Sequence, residues 1–452
     1  MPRLFGTDGI RGLANGDVLT PELALAVAAS AAGELLRDSR VAGERATDRP
    51  TDRPTVVIGR DTRPSGPLLE AAAAAGFAGA GVDVRLLGVV PTPAVAHVCA
   101  RGDADLGLMI SASHNPMPDN GLKLFGPGGH KLPDAVEDAV EAGLGRTRER
   151  PVGVAVGGVG PAPRAWLEAY LEHLLGTLEA PLAGLTVVVD CAQGAASLLA
   201  PELYRRAGAT VVPIFADGAG EHINEGCGAT HLEPLRSAVQ VHGADVGIAH
   251  DGDADRCLAV DADGEVVDGD KVLAVCALGL QARGLLPTAT VVATVMSNEG
   301  FVQGLRAAGL EVVRTGVGDR YVLEAMRAGG HALGGEQSGH VVFLDHATTG
   351  DGLLTALQLL GRVAASRTSL RELASVVQVL PQVLLNVPAR SERAAAPDVL
   401  AAVTAEQASL GSGGRVLLRP SGTEPVVRVM VEAPTGAQAR EVAHRLAAVV
   451  GA

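Results

Sequence analysis

The sequence predicts an α/β protein built as three related mixed α/β domains followed by a smaller C-terminal α+β domain. Three observations predict it. Short β-branched runs alternate with alanine- and leucine-rich stretches of helical length, the pattern of layered sheets with largely parallel strands. Three of those runs end alike: Thr55–Ile58 opens into Gly59-Arg60-Asp61-Thr62-Arg63, Val187–Asp190 into Cys191-Ala192-Gln193-Gly194, and Val291–Val295 into Ser297-Asn298-Glu299-Gly300. Each delivers a polar, glycine-bearing loop at the carboxyl edge of a strand, where open α/β sheets place ligands. Beyond residue 380 the order changes to helix, strand, strand, helix (399–410, 415–418, 426–432 and 437–450).

Taken in order, Thr20 is placed to cap a first helix with Pro21 at its first position. The tandem repeat Thr47–Pro54, part of an insertion over 40–54, reads as a solvated loop before the strand at 55. A Gly/Pro-rich stretch at 150–165 separates the first block from a helix at 166–175. A second break falls near Asp263-Gly264, and a third at 381–388. These give domains at 1–160, 161–263, 264–380 and 381–452.

Composition narrows the function. The chain has 452 residues, 47% of them apolar but only 2% aromatic, so aliphatic side chains and alanine must fill the interior. A net charge of −14 argues against a phosphate-backbone binder, so no nucleic-acid partner is expected. Five scattered cysteines without a C-x-x-C pair read as buried thiols of a cytoplasmic protein. The N-terminus lacks a signal-like apolar stretch and no run of about 18 apolar residues occurs, so no membrane partner is expected. Lysine and arginine total 37, and three of these are lysine, Lys123, Lys131 and Lys271. Arginine cannot replace a tunable amine, which makes each surviving lysine a functional candidate.

Five segments carry chemistry. Asp251-Gly252-Asp253-Ala254-Asp255-Arg256 follows the apolar run 246–249. In an extended segment its carboxylates would share one side, and three such anions need a cation, most simply a hard divalent ion such as Mg2+. An EF-hand would need Gly and Glu where Arg256 and Ala262 stand. Ser111-Ala112-Ser113-His114-Asn115-Pro116 leaves the strand 106–110 and offers a hydroxyl that could attack or carry a phosphoryl group. The G-x-S-x-G of a hydrolase elbow is absent, and His114, as an immediate neighbour, is expected to diverge from Ser113. The segment 5–12 spaces glycines around Arg11. Gly335-Glu336-Gln337-Ser338-Gly339-His340 can grip vicinal hydroxyls. Arg419-Pro420-Ser421-Gly422-Thr423-Glu424-Pro425, with Arg428 beyond it, joins two strands as a phosphate nest. The residues before the three lysines exclude a P-loop. Together these describe an enzyme acting on a phosphorylated sugar.

In their order, the segments Gly6–Gly12, Ser111–Pro116, Asp251–Arg256, Gly335–His340 and Arg419–Pro425 resemble the α-D-phosphohexomutases, and Gly316–Tyr321 resembles their glucosamine-specific branch. The resemblance spans the chain. It implies four domains around a central cleft and a phosphoserine at Ser113. Mg2+ would be held by Asp251, Asp253, Asp255 and the phosphoserine, with Arg11 and Arg256 neutralising charge. Glu336 and Ser338 would hold sugar hydroxyls, and Arg419, Ser421, Gly422, Thr423 and Arg428 the non-transferring phosphate. Lys123 and His340 match positions for proton transfer and substrate contact, and a lysine desolvated beside cations would carry a lowered pKa. The implied reaction interconverts glucosamine 6-phosphate and glucosamine 1-phosphate through a 1,6-bisphosphate, feeding UDP-N-acetylglucosamine and cell-wall precursor synthesis. Glucose or glucosamine 1,6-bisphosphate would be an activator, and a homodimer and an activating protein kinase are the macromolecular partners it suggests. The rivals are glucose or mannose specificity on the same chemistry, and a non-catalytic phosphosugar sensor.

Overall fold

In each of three sheets, a buried parallel strand ends in a loop that returns as an antiparallel neighbour, and these returns carry the polar motifs. The computed structural model describes residues 3–6, 8–36, 53–146, 149–421 and 425–452; most of the 40–54 insertion, Thr7, Gly422 and Thr423 lie outside them. The chain divides into two units, Met1–Val295 with Val313–Ala374, and Met296–Val312 with Ser375–Ala452.

The larger unit begins with a mixed six-stranded sheet. Its order is Ile10–Leu13, Asp119–Phe125, Leu106–Ile110, Thr55–Arg60, Asp83–Val89 and Val159–Pro161. Thr55–Arg60 runs parallel to both its neighbours, whereas Asp119–Phe125 is antiparallel to Leu106–Ile110. The strand Leu106–Ile110 is buried at every position, as its unbroken apolar run requires. Thr20 caps the helix Pro21–Ala31 by accepting from the Leu23 amide, with Pro21 at the first position. Small residues let this helix press on Gly66–Gly79: a Cβ on Gly76 would lie 2.4 Å from the Leu25 carbonyl oxygen. That contact shows how a chain poor in aromatics reaches a dense interior.

The second sheet repeats the scheme. Thr186–Asp190 pairs in parallel with Thr210–Ile214 and Val246–Ala249, and Val246–Ala249 then pairs antiparallel with Leu258–Asp261. In the third, Thr290–Thr294 is parallel to Leu333–Gly335, which is antiparallel to Val341–Phe343. All five cysteines are buried and none is in a disulfide among the described residues. Among the described residues, no helix is long and apolar enough to cross a membrane.

The smaller unit holds a three-stranded antiparallel sheet in which Val426–Glu432 lies between Gln382–Pro388 and Arg415–Pro420. The helices Pro397–Leu410 and Gly436–Gly451 pack on it around a core that includes Val399, Val429 and Leu446. The stretch 381–388, expected to be a break, is therefore a strand. Its bounding prolines suggest a linker, but Val383, Leu385 and Val387 alternate inward while Gln382, Leu384 and Asn386 stay exposed. Prolines are tolerated there because the strand forms the sheet's edge.

Candidate active site

Ser113 is placed by contacts to three loops. It lies just past the strand Leu106–Ile110 with 1% exposure, and its φ of 51° belongs to the left-handed region. Such a conformation costs an L residue energy and persists where surroundings over-determine it. Those surroundings are specific. The Ser113 amide donates to Ser111 Oγ at 2.9 Å, and Ser111 Oγ in turn donates to Asp61 Oδ2 at 2.6 Å. The Ser113 carbonyl accepts from Arg63 Nη2 at 3.0 Å and Asn224 Nδ2 at 2.9 Å. The Arg63 guanidinium, fully buried, also donates to the carbonyls of Asn115, Pro116 and Asp119, and pairs with Asp61 at 2.9 Å. Arg63 thus holds the serine loop from behind, a role the sequence reading missed. The loop Gly59–Arg63 was visible as polar, but nothing local says that its arginine collects carbonyls fifty residues away.

The acidic loop meets this serine directly. Ser113 Oγ donates to Asp251 Oδ2 at 2.6 Å. The approach depends on Gly252, since a Cβ there would stand 2.5 Å from the Ser113 carbonyl oxygen. Asp251, Asp253 and Asp255 are buried, and one ligand atom from each lies within 4.8 Å of the others. They converge in a tight turn with Ala254 at φ 57°, not along an extended strand as the alternation argument expected. Burial together with Asp255 and Asp253 pushes the Asp251 carboxyl up to about 7. Asp255 is held far below the usual carboxylate range, because Lys123 and His340 outweigh its burial. Asp253 Oδ1 and Asp255 Oδ1 are buried without a hydrogen-bond partner among the described residues. Buried, clustered carboxylate oxygens of this kind fit a hard divalent cation, so the triad can hold a metal ion.

Around the triad, charges alternate in a closed ring. Lys123 Nζ contacts Asp253 Oδ2 at 2.8 Å, Asp8 Oδ2 at 2.9 Å and Asp255 Oδ2 at 3.7 Å. Asp8 also pairs with Arg11 and Lys131, and Lys131 reaches Asp319. Asp319 Oδ2 stands 3.6 Å from His340 Nε2, and His340 Nδ1 stands 3.6 Å from Asp255 Oδ1, which closes the ring. Burial alone would lower Lys123, but Asp253, Asp8 and Asp255 hold it well above the ordinary lysine range. The expectation of a lowered lysine pKa is thus reversed, because its nearest neighbours are carboxylates and not cations. His340 is likewise pushed up to about 9: Asp255 and Asp319 overcome its burial. His114 moves the other way, to about 4, through burial and the nearby Arg256 and Arg11. Its Nδ1 lies 3.3 Å from Ser113 Oγ, so these adjacent side chains do meet, contrary to expectation; the left-handed Ser113 turns them together.

A cavity of about 430 Å³ opens over these groups, lined by Arg11, Ser113, Arg256, Asp255, Glu336 and His340 among others. That volume suits a small ligand. Arg256 Nε approaches Asp251 and Asp255 at 3.9 Å each. Glu336 Oε1 accepts from the Gly318 amide at 3.2 Å, and Ser338 Oγ is buried without a hydrogen-bond partner among the described residues. The Glu336–Gly339 turn is seated on Gly269, where a Cβ would meet the Glu336 carbonyl oxygen at 2.3 Å. In the smaller unit, Arg419 stands directly opposite Arg428 across the strand pair, and the Ser421 amide donates to the Val426 carbonyl at 2.9 Å. Like charges placed directly opposite one another are unfavourable unless an anion lies between them. Gly422 and Thr423, which complete the expected nest, lie outside the described residues.

A serine hydroxyl on a buried carboxylate triad, with fixed cations around it and a polar cavity beside it, is an arrangement that can support phosphoryl transfer. The fold and comparison with known proteins identify its kind. The chain belongs to the phosphoglucomutase/phosphomannomutase family, matching its domain I over residues 2–151, domain II over 168–264, domain III over 268–380 and C-terminal domain over 384–449. It is 62% identical over 455 residues to a phosphoglucosamine mutase of Frankia alni, spanning 100% of this chain and 99% of that protein. It is 57% identical over 454 residues to a phosphoglucosamine mutase of Saccharopolyspora erythraea, spanning 100% of both. Among solved structures, a phosphoglucomutase/phosphomannomutase family protein from Burkholderia thailandensis superposes with a TM-score of 0.78 at 25% identity, covering 99% of this chain and 97% of that one. The Aspergillus fumigatus N-acetylphosphoglucosamine mutase, solved with GlcNAc-6P and magnesium, shares the fold at a TM-score of 0.66 and 18% identity, over 99% and 95% of the two chains.

Proposed function

We propose that the chain is an isomerase that interconverts glucosamine 6-phosphate and glucosamine 1-phosphate by way of a phosphoserine at Ser113. The observation that carries this reading is Ser113 Oγ at 2.6 Å from Asp251 Oδ2, within the buried triad and facing the cavity. The full-length relatives named phosphoglucosamine mutase support the amino sugar as substrate. Asp251, Asp253, Asp255 and an oxygen on Ser113 would hold Mg2+, which supplies neutralisation of charge on the transferring group. In the forward direction the C1 hydroxyl of glucosamine 6-phosphate attacks the phosphorus on Ser113. The Ser113 Oγ–P bond breaks as the new O–P bond forms, and the proton given up by the sugar is balanced by the one regained at Ser113 Oγ. Freed, that hydroxyl donates to Asp251 as it does in the structure.

The 1,6-bisphosphate then turns over in the site, its 6-phosphoryl group returns to Ser113, and glucosamine 1-phosphate leaves. Arg11 and Arg256 stabilise charge on the phosphoryl group in both transfers. Lys123 and His340, held cationic by their carboxylates, add positive charge and position the substrate. Glu336 and Ser338 take the sugar hydroxyls, and Arg419, Ser421, Gly422, Thr423 and Arg428 take the phosphate that is not transferring. Four domains at 1–160, 161–263, 264–380 and 381–452 belong to the same reading, each carrying one of the motif loops. The setting is cytoplasmic, ahead of UDP-N-acetylglucosamine and cell-wall precursor synthesis, with a hexose 1,6-bisphosphate as activator. A homodimer and an activating kinase belong to the same reading. Turnover of glucosamine 6-phosphate, glucose 6-phosphate and mannose 6-phosphate, compared as kcat/KM, tests the substrate. Preference for either neutral sugar would overturn the amino-sugar assignment, and turnover of none would favour a phosphosugar sensor.

A further inference from the structure

Asp253 differs from its two partners in the triad in how its carboxylate is occupied. Its Oδ2 is taken twice, by Lys123 Nζ at 2.8 Å and by the hydroxyl of Thr92 at 2.6 Å. Its Oδ1 is left buried and without a hydrogen-bond partner among the described residues. Thr92 opens the helix Thr92–Ala100 and has 1% exposure. Its amide also donates to the Asp253 carbonyl at 2.9 Å, so one residue grips both the backbone and the side chain of Asp253. Pro91 and Pro93 flank Thr92 and fix the backbone that presents it. A carboxylate with one oxygen fully engaged can turn only the other toward a cation.

We propose that Thr92 is a positioning residue for the metal site. It locks Asp253 so that Oδ1 alone faces the ion, and thereby sets single-oxygen ligation at this position. The inference rests on the reading of the triad as a metal site. It assigns Thr92 no contact with substrate. Valine keeps the shape of threonine while removing the hydroxyl, so Thr92→Val isolates the hydrogen bond; Thr92→Ser keeps the hydroxyl and drops only the methyl group. Partners that orient metal ligands typically change metal affinity by about 10–100-fold.

The test uses the full chain with Mn2+ as the probe, its free fraction read by electron paramagnetic resonance, independent of turnover. Circular dichroism confirms folding, and Thr92→Ala replaces the valine variant if that one does not fold. The expected result is Mn2+ binding weakened at least about tenfold in Thr92→Val, and restored to within about threefold of wild type in Thr92→Ser. Wild-type affinity in a folded Thr92→Val, or equal weakening in Thr92→Ser, would overturn the proposal. Asp253→Asn separates the two levels: if it binds Mn2+ as wild type does, the metal-site reading itself fails, whereas its loss beside an unaffected Thr92→Val removes Thr92 alone.

Discussion

Arg63→Met is the substitution that most sharply tests how the serine loop is held. Methionine keeps much of the buried volume but removes a guanidinium that serves four backbone carbonyls and the Asp61 carboxylate. Asp61 would be left buried, retaining only its bonds from Ser111 Oγ and the Arg63 amide. Removing one partner of a buried ion pair costs about 3–5 kcal/mol. Losing the bonds to the carbonyls raises that figure, because hydrogen bonds to charged groups are each worth about 1.5–3 kcal/mol, though they do not add independently and the Ser113 and Asn115 carbonyls keep Asn224 while the Pro116 carbonyl keeps the Asp119 amide. Against a usual stability of about 5–15 kcal/mol, the loss is a large share. Urea unfolding followed by circular dichroism should show the first transition moved to markedly lower denaturant, with turnover falling in the molecules that stay folded. Arg63→Lys should recover part of the stability but little turnover, since an ammonium cannot span the same carbonyls. A midpoint and kcat within error of wild type for Arg63→Met would refute the reasoning.

Gly350→Ala should disable the site without unfolding the chain. The added Cβ would come 2.4 to 2.6 Å from three ring atoms of His340, which must move away from Asp255 and Asp319; a kcat lower by about 100-fold is expected, as for a misplacement near 1 Å. Unchanged steady-state kinetics would contradict it. Asp190 gives a pH prediction. Burial pushes its carboxyl from 3.8 up to about 6, against the pull of the Ala192 and Gly228 amides. The folded state then binds more protons at Asp190 than the unfolded state between these values, so the contribution of this group to stability is greatest below about pH 4 and falls as pH rises through 6. Two units at about 1.4 kcal/mol each give about 3 kcal/mol as an upper bound. Asp190→Asn should flatten that part of the denaturation profile, and an unchanged slope between pH 4 and 6 would refute the assignment.

Much of the fold was legible because local pattern and tertiary structure agree. The strands Leu106–Ile110 and Val246–Ala249 were read with the boundaries the structure shows, since each is a short apolar run ending in polar residues. Thr20 and Pro21 marked their helix start for the same reason. The edge strand Gln382–Pro388 was misread because prolines at its ends outweighed a clear alternation. In the site, the polar loops could be found from composition, but the links between them could not. Arg63 reaching Ser113, Asn224 reaching the same carbonyl, and Lys131 joining Asp8 to Asp319 are contacts between residues 50 to 188 positions apart. No spacing rule encodes them. The charge state of Lys123 was misjudged for this reason: rarity singled the residue out, but its pKa is set by Asp253 and Asp8, whose proximity only the fold reveals.

The central claim is that Ser113 carries the phosphoryl group. Intact mass spectrometry with peptide mapping, on chain incubated with glucose or glucosamine 1,6-bisphosphate, tests it most directly. The account predicts one added phosphoryl group, mapped to Ser113 and lost on incubation with glucosamine 6-phosphate. A phosphoryl group mapped to another residue, and discharged by the same substrate, would contradict it.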